Sequence, residues 1–249
     1  MIPSIRFTTS AVTHPGCSRQ INEDSQLVRE EDAVWAVADG MGGHLAGEVA
    51  SAAIVEALGG ASIGGDFDAR IDRLEAILGA ANRSIYEAGM RAGARMGSTA
   101  VVLHIFEGHV ACLWAGDSRI YRLRDGVLAR MTRDHTTVQD MVDRGLLTPQ
   151  EAIHHPLGHV ISRAVGVEPE LDVEVRVEEV QARDVFLLCS DGLTGVISDE
   201  EIAEHLVTSR RGTCQALLDL TLERGAPDNV TIVTVACEEK TALIFEQEA

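Results

Sequence analysis

Three apolar runs of strand length in this chain end in an aspartate beside a glycine: Ala33 to Ala38 before Asp39-Gly40, Val110 to Ala115 before Gly116-Asp117, and Phe186 to Cys189 before Ser190-Asp191-Gly192. A sheet built from such runs delivers carboxylates to one edge. The order is reversed at Asp228-Asn229, which opens the alternating stretch Val230 to Val235, and an acidic pair, Glu23-Asp24, precedes a further short strand pattern around Gln26 to Val28. Carboxylates gathered at strand ends point to a site for a hard cation. Oxygen donors suit Mg²⁺ and Mn²⁺, whereas zinc calls for closely spaced Cys or His.

Gathered carboxylates repel: two unit charges about 4 Å apart cost about 4 kcal/mol at an effective dielectric of 20. The six carboxylates of Glu23, Asp24, Asp39, Asp117, Asp191 and Asp228 match three divalent cations, or two with proton sharing, and two such ions together acidify a water and hold the oxygens of a phosphoryl group in line for displacement. Metal-assisted phosphate ester hydrolysis follows. A substrate phosphate also calls for a cation that keeps its proton, and Arg19, four residues before Glu23, offers a guanidinium able to grip two phosphate oxygens. Gly40, Gly42 and Gly43 allow backbone to approach an ion closely, and a glycine carbonyl can itself be a ligand.

These residues need a scaffold. Strand patterns fall near 26 to 38 and 98 to 123 in the first half and at 172 to 177, 184 to 189 and 230 to 237 in the second. They do not alternate with helices. Tyr121 to Leu123 turns at Asp125-Gly126 into Val127-Leu128, a hairpin signal that implies antiparallel pairing. Two packed antiparallel sheets are the simplest arrangement. Ile71, Leu74, Leu78, Ala81 and Ile85 form one helical stripe with Asp72, Arg73 and Glu75 outside it. A capping box at Ser198 and Glu201 starts a helix through Leu206, and a further helix runs from Thr213 to Arg224 and stops at Gly225. Between Asp134 and Val160 two short helices are expected, one from Thr136 to Arg144 ended by Gly145, the other opened by Thr148-Pro149-Gln150-Glu151. This polar stretch reads as a surface flap, residues 135–160 of a single domain spanning 1–249.

Composition narrows the function. Among 249 residues 45% are hydrophobic but only 4% aromatic, so the core is aliphatic. The formal net charge of −18 argues against polyanions and anionic lipid, hence against nucleic acid and membrane partners. Five scattered cysteines without a Cys-x-x-Cys pair fit a reducing, cytoplasmic setting. The cluster His154-His155-Pro156-Leu157-Gly158-His159 is not a zinc helix, because Pro156 and Gly158 break it. No Gly-rich loop ending in Lys-Ser or Lys-Thr occurs, and the Gly60-Ala61-Ser62-Ile63-Gly64 stretch has no strand pattern leading into it, so it is not a nucleophile elbow.

In order along the chain, RQINEDS (Arg19 to Ser25), VADGMGGHLAGEVAS (Val37 to Ser51), GSTAVV (Gly97 to Val102), AGDSRIYRLRDG (Ala115 to Gly126), TRDHT (Thr132 to Thr136), ISRAVG (Ile161 to Gly166), LCSDGL (Leu188 to Leu193) and DNVT (Asp228 to Thr231) together resemble the PP2C-type (PPM) metal-dependent serine/threonine protein phosphatases, in their compact bacterial branch. That resemblance implies an α+β fold, an antiparallel β-sandwich flanked by helices on both faces in four αββα layers. It implies two Mn²⁺ or Mg²⁺ ions bridged by Asp39, with the Gly40 carbonyl on one and Asp191 and Asp228 on the other. Glu23 and Asp24 would act largely through metal-bound waters, Asp117 and Asp191 would hold a third ion, and Arg19 would bind the phosphate. The implied reaction is hydrolysis of phosphoserine and phosphothreonine in proteins by in-line attack of a hydroxide bridging the ions, in a monomer that opposes a bacterial serine/threonine kinase.

One position departs from the pattern. Many eukaryotic members carry a histidine after the Asp-Gly pair, implicated as a general acid, where this chain has Met41 in common with bacterial members. His44 is near in sequence but does not occupy the matching position, and a metal-bound water is an equal choice of proton donor. Two other functions compete: a catalytically weak phosphoprotein-binding regulatory module, and a metal-dependent hydrolase of phosphodiesters or small molecules. Phosphate release from a phosphothreonine peptide separates them.

Overall fold

The computed structural model describes residues 5–42, 46–152, 155–208 and 212–239. Gly43, His44 and His154 lie outside the described residues. Strands β1 (Ile5–His14), β2 (Asp24–Arg29) and β3 (Val34–Met41) come first, with a 3-10 turn at Glu30–Asp32 between the last two. Helices α1 (Ala46–Gly60) and α2 (Phe67–Ala92) follow, then β4 (Gly97–Ser98), β5 (Ala100–Phe106), β6 (His109–Ala115), β7 (Arg119–Arg124) and β8 (Val127–Arg130). The second half holds α3 (Thr137–Asp143), α4 (Pro149–Ala152), β9 (Glu174–Glu179), β10 (Val185–Cys189), α5 (Asp191–Thr194), α6 (Asp199–Thr208), α7 (Thr213–Glu223) and β11 (Val230–Glu239).

Two antiparallel sheets result, one ordered β1-β11-β10-β7-β8 and the other β2-β3-β5-β6-β9 with β4 on β3. Period-two alternation sorts their side chains into layers. Trp35 and Val37, Leu103 and Ile105, Phe186 and Leu188, and Val233 and Val235 fill the space between the sheets. Their chain neighbours Val34, Ala36 and Val102 face α1 and α2, meeting Ile54, Leu58 and Leu74. On the other side Leu187, Cys189 and Ile232 meet Ile202, Leu206 and Leu217 of α6 and α7. This is the four-layer α+β sandwich expected above.

Local rules explain most elements. The stripe Ile71, Leu74, Leu78, Ala81 and Ile85 is buried, and Asp66 caps α2 by accepting from the Ala69 N–H. Ser198 Oγ accepts from Glu201 N while Glu201 accepts from Ser198 N, the reciprocal pair that opens α6. Thr148 and Glu151 repeat it ahead of α4. Asp125 and Gly126 both have positive φ in the β7–β8 turn, with Arg124 paired to Val127. The excursion carrying α3 and α4 is closed at its base by a bridge between Thr136 and Ile161. His155 and His159 sit in a turn segment rather than on a helix face.

Two elements escape pattern reading. The β1 sequence IRFTTSAVTH has few large apolar side chains and stays half-buried on both faces; it is held by ten residue pairs with β11, from Ile5↔Glu239 to His14↔Val230. Helix α1 buries Ala50, Ile54 and Leu58 among alanines and glycines, too weak a stripe to stand out.

The cysteines give a first prediction. All five are free thiols, with Cys17 exposed and the other four buried. Burial pushes Cys112, Cys189 and Cys237 up to about 12, which suppresses the reactive thiolate. Titration with an aromatic disulfide reagent at pH 8 is expected to label Cys17 rapidly and the other four only after unfolding. Fast labelling of two or more thiols in the native protein contradicts that packing.

His104 gives a second. It is fully buried on β5, its Nδ1 meets the Ala33 carbonyl, and Nε2 has no partner. Burial lowers its pKa below the usual 6.5, the Ala33 bond works the other way, and Arg70 lowers it further. The folded state therefore holds fewer protons than the unfolded chain, so this contribution is complete above about pH 6.5 and is lost as pH falls toward the folded value. His104→Asn is expected to show a shallower fall in urea midpoint between pH 7.5 and 5.5 than the parent. Parallel profiles would place the loss elsewhere.

Candidate metal centre

The acidic residues arrive from both sheets at one end of the sandwich. Asp24 of β2 is paired directly across from Asp39 of β3, which puts their side chains on the same face as neighbours. Asp39 continues the parity of Trp35 and Val37, so it faces the space between the sheets. Asp191 opens α5 directly after β10, and Asp228 stands two residues before β11. Asp117 lies in the turn after β6, buried, with Gly116 at a positive φ of 115°.

Hydrogen bonds tie the segments that carry them. The Asp39 N–H donates to Thr99 Oγ1 at 3.0 Å, and Thr99 Oγ1 is 2.7 Å from Ser118 Oγ, linking the Asp39 and Asp117 turns. Gly40 N donates to the Glu23 carbonyl at 3.1 Å. A Cβ on Gly40 would lie 2.1 Å from the Gly47 carbonyl oxygen and 2.6 Å from that of Glu23, so only glycine lets β3, α1 and the Glu23 turn meet here. Ser190 Oγ donates to Asp24 Oδ2 at 2.7 Å and accepts from Thr231 N at 3.0 Å. Asn229 ties three segments: its Oδ1 accepts from Glu23 N at 2.8 Å, and its Nδ2 donates to the Pro15 and Ile21 carbonyls, both at 3.0 Å.

The electrostatics reflect crowding. Burial, then the charges of Asp24, Asp191, Asp117 and Asp228, drive Asp39 well above the ordinary carboxylate range. Burial pushes Asp24 up to about 7 against hydrogen bonds from Ser190 and Thr231, and pushes Asp117 up to about 7 with help from Asp191 and Asp134. Asp191 rises through burial and Asp228, while a hydrogen bond with Asp39 works the other way. Mutual elevation on this scale marks a cluster short of positive charge.

Arg19 supplies a cation at the rim, and its position refines the sequence reading. Its Nε and Nη2 donate to the two carboxylate oxygens of Asp228 at 3.0 and 2.9 Å, so it reaches the rim as a partner of Asp228, with more than half the side chain exposed.

The donor set suits a hard cation. Glu23 Oε1, Asp24 Oδ1 and Asp117 Oδ1 are buried carboxylate oxygens without a hydrogen-bond partner, an arrangement that costs free energy unless something positive meets them. Among the described residues no three acidic, imidazole or thiol groups already form a closed chelate. Asp228 is engaged by Arg19, and Asp24 Oδ2 by Ser190. The residues fit divalent ions by the chemistry of their oxygen donors and by burial.

The motif residues of the sequence reading therefore share one region, and Thr99, Ser190 and Asn229, which hold them, were not assigned there. All three lie inside the quoted motifs GSTAVV, LCSDGL and DNVT. No local pattern distinguishes their polar side chains from turn residues.

A family model for protein phosphatase 2C matches residues 18–225. The serine/threonine protein phosphatase PstP of Mycobacterium tuberculosis is 41% identical over 225 residues, 88% of this chain and 42% of that protein, so the chain spans less than half the length of that relative. Two solved structures are similar throughout: PppA, described as a key regulatory component of the T6SS in Pseudomonas aeruginosa, at 38% identity and a TM-score of 0.86 over 93% of this chain and 97% of that one; and the catalytic domain of PstP in complex with two manganese ions, at 36% identity and a TM-score of 0.84 over 95% of this chain and all of that one.

Proposed function

Because the chain belongs to the protein phosphatase 2C family, we propose that it is a metal-dependent serine/threonine phosphoprotein phosphatase whose reaction takes place at the acidic rim. The partnerless buried oxygens of Glu23, Asp24 and Asp117 beside Asp39 carry this reading. Asp39, the Gly40 carbonyl, Asp191 and Asp228 would hold two Mn²⁺ or Mg²⁺ ions, Glu23 and Asp24 would support them through water, and Asp117 with Asp191 would hold a third. Bound ions supply the charge that neutralises phosphate oxygens and acidifies the attacking water.

The chain's own residues do the rest. Arg19 keeps N–H donors beyond the two on Asp228 and would orient the substrate phosphate with them. Thr99 fixes the backbone of Asp39, and Ser190 holds the Asp24 carboxylate itself by donating to Oδ2. Met41 carries no proton to give, which leaves leaving-group protonation to solvent at the centre. Residues 135–160 would form a flap of the single catalytic domain, bordering the cleft. The substrates would be phosphoproteins made by a serine/threonine kinase, met by a monomer in the cytoplasm, a setting that free thiols suit. No helix among the described residues is long and apolar enough to cross a membrane.

The mutual charge effects among Asp39, Asp191 and Asp228 favour turnover over a binding module. The test is phosphate release from a phosphothreonine peptide against Mn²⁺ concentration. Saturable, ion-dependent release is expected; an unchanged rate in excess chelator, or no release at any Mn²⁺ concentration, overturns the proposal.

A further inference from the structure

A cavity of about 380 Å³ opens beside the acidic rim and shares a strand with it. Its walls are the end of β3 (Met41, Gly42), the turn from α2 into β4 (Arg95, Met96, Gly97), and the segment from Ile161 to Asp172. Met41 is paired with Gly97, and Ser98 exchanges both backbone hydrogen bonds with Val165, at 2.9 and 2.8 Å, so all three walls are anchored to the strand that bears Asp39. Its lining is largely apolar where Met41, Met96, Ile161, Ala164 and Leu171 meet.

The outer wall is held in shape by a residue with no other evident task. Asn82 of α2 is 1% exposed, accepts from the Gly166 N–H at 2.6 Å and donates to the Glu168 and Pro169 carbonyls at 3.0 and 3.3 Å. Burying an amide is costly unless every bond is made. Here the bonds fix residues 166–169, which present Val167, 38% exposed, above Gly97, where an added Cβ would come within 2.7 Å of Val167 Cγ2. Glu168 and Glu170 line the same wall, are exposed, and make no ion pair among the described residues. Asp172, by contrast, is paired with Arg163 at 3.1 Å.

The geometry points to a specificity subsite: the cavity accepts an aliphatic side chain of the phosphoprotein substrate two or three positions from the phosphorylated residue, with a basic residue next to it facing Glu168 and Glu170. The inference rests on the phosphatase reading above. Asp39 and Met41 occupy the same strand face about 6 to 7 Å apart. An extended substrate covers about 3.3 to 3.6 Å per residue, so a phosphorylated side chain at Asp39 sets a residue two or three places away over Met41 and the cavity mouth. The chain's charge of −18 also favours a basic neighbour.

Phosphothreonine peptides of alanine and serine, with one leucine moved from three positions before to three positions after the phosphothreonine, test this with Mn²⁺ present. Leucine at one or two of the outer positions is expected to raise kcat/KM about tenfold, and an adjoining lysine to raise it further. Val167→Trp, which fills the mouth, is expected to abolish the leucine preference. Glu168→Lys with Glu170→Lys is expected to abolish the lysine preference alone. p-Nitrophenyl phosphate, too small to reach the cavity, should be turned over equally by parent and variants, which also reports folding. Rates within twofold for every leucine position, or a leucine preference that survives in Val167→Trp, overturn the subsite while leaving the phosphatase reading intact. No turnover of peptide or p-nitrophenyl phosphate by the parent overturns that reading, and the subsite with it.

Discussion

Asp39→Asn is expected to lower kcat on a phosphothreonine peptide at saturating Mn²⁺ by about a thousandfold or more, the scale on which removing a central electrostatic element acts. Asp39 is the carboxylate whose ionisation the surroundings oppose most plainly, through burial and then four neighbouring aspartates. A protein that keeps such a group without a positive partner loses stability, and an amide of the same shape relieves that loss. With metal chelated, the same variant is therefore expected to unfold at a higher urea midpoint than the parent, corresponding to about 1 to 2 kcal/mol of added stability. The two readouts move in opposite directions, and a merely structural aspartate predicts the reverse pattern: reduced stability and near-normal turnover. Retention of the full rate and the same Mn²⁺ response would remove Asp39 from the centre. The amide keeps the backbone bond to Thr99, so loss of activity cannot be assigned to a shifted strand.

What the sequence made legible was local. An apolar run followed by Asp-Gly reports a strand end and a close backbone approach within a few residues, and Asp39, Asp117 and Asp191 were found that way. The Ser198–Glu201 box and the Asp125-Gly126 turn were readable for the same reason, since each is complete within four residues. Register was not legible. That Asp24 stands opposite Asp39 follows from a pairing that begins after an irregular 3-10 turn, and that β1 lies along β11 joins the two ends of the described chain. Arg19 was readable as a cation near carboxylates, but its engagement with Asp228, 209 positions away, depends on how the two sheets close. The same holds for Asn82, whose amide shapes a loop 84 to 87 residues downstream.

Asn229 shows the functional weight of such long-range bonds, and Asn229→Ala is expected to have the second large effect. In the sequence it reads as a turn residue before a strand. In the fold its amide holds the segment from Pro15 to Glu23, 206 to 214 positions away, at three points: the Pro15 and Ile21 carbonyls and the Glu23 N–H. That segment carries Arg19 and Glu23. Removing the amide leaves a buried N–H and two carbonyls to find new partners, at a cost of about 2 to 4 kcal/mol. The larger consequence is for the rim, because Glu23 is placed by its own backbone: its N–H sits on Asn229 and its carbonyl accepts from Gly40 and from Ser51 Oγ at 2.5 Å. Freed at one end, the segment lets Glu23 and Arg19 move by an ångström or more, a displacement that costs about a hundredfold in a pre-organised site. The Mn²⁺ concentration for half-maximal rate is expected to rise at least tenfold, and kcat at saturating Mn²⁺ to recover only in part. Asn229→Asp separates the two roles, since it keeps an acceptor for Glu23 N, loses both donors and adds a negative charge beside Asp228. It should fall below the alanine variant in apo stability. A lower urea midpoint with an unchanged Mn²⁺ response in Asn229→Ala would confine Asn229 to holding the chain together, because a loop that can loosen without disturbing the ions does not position them.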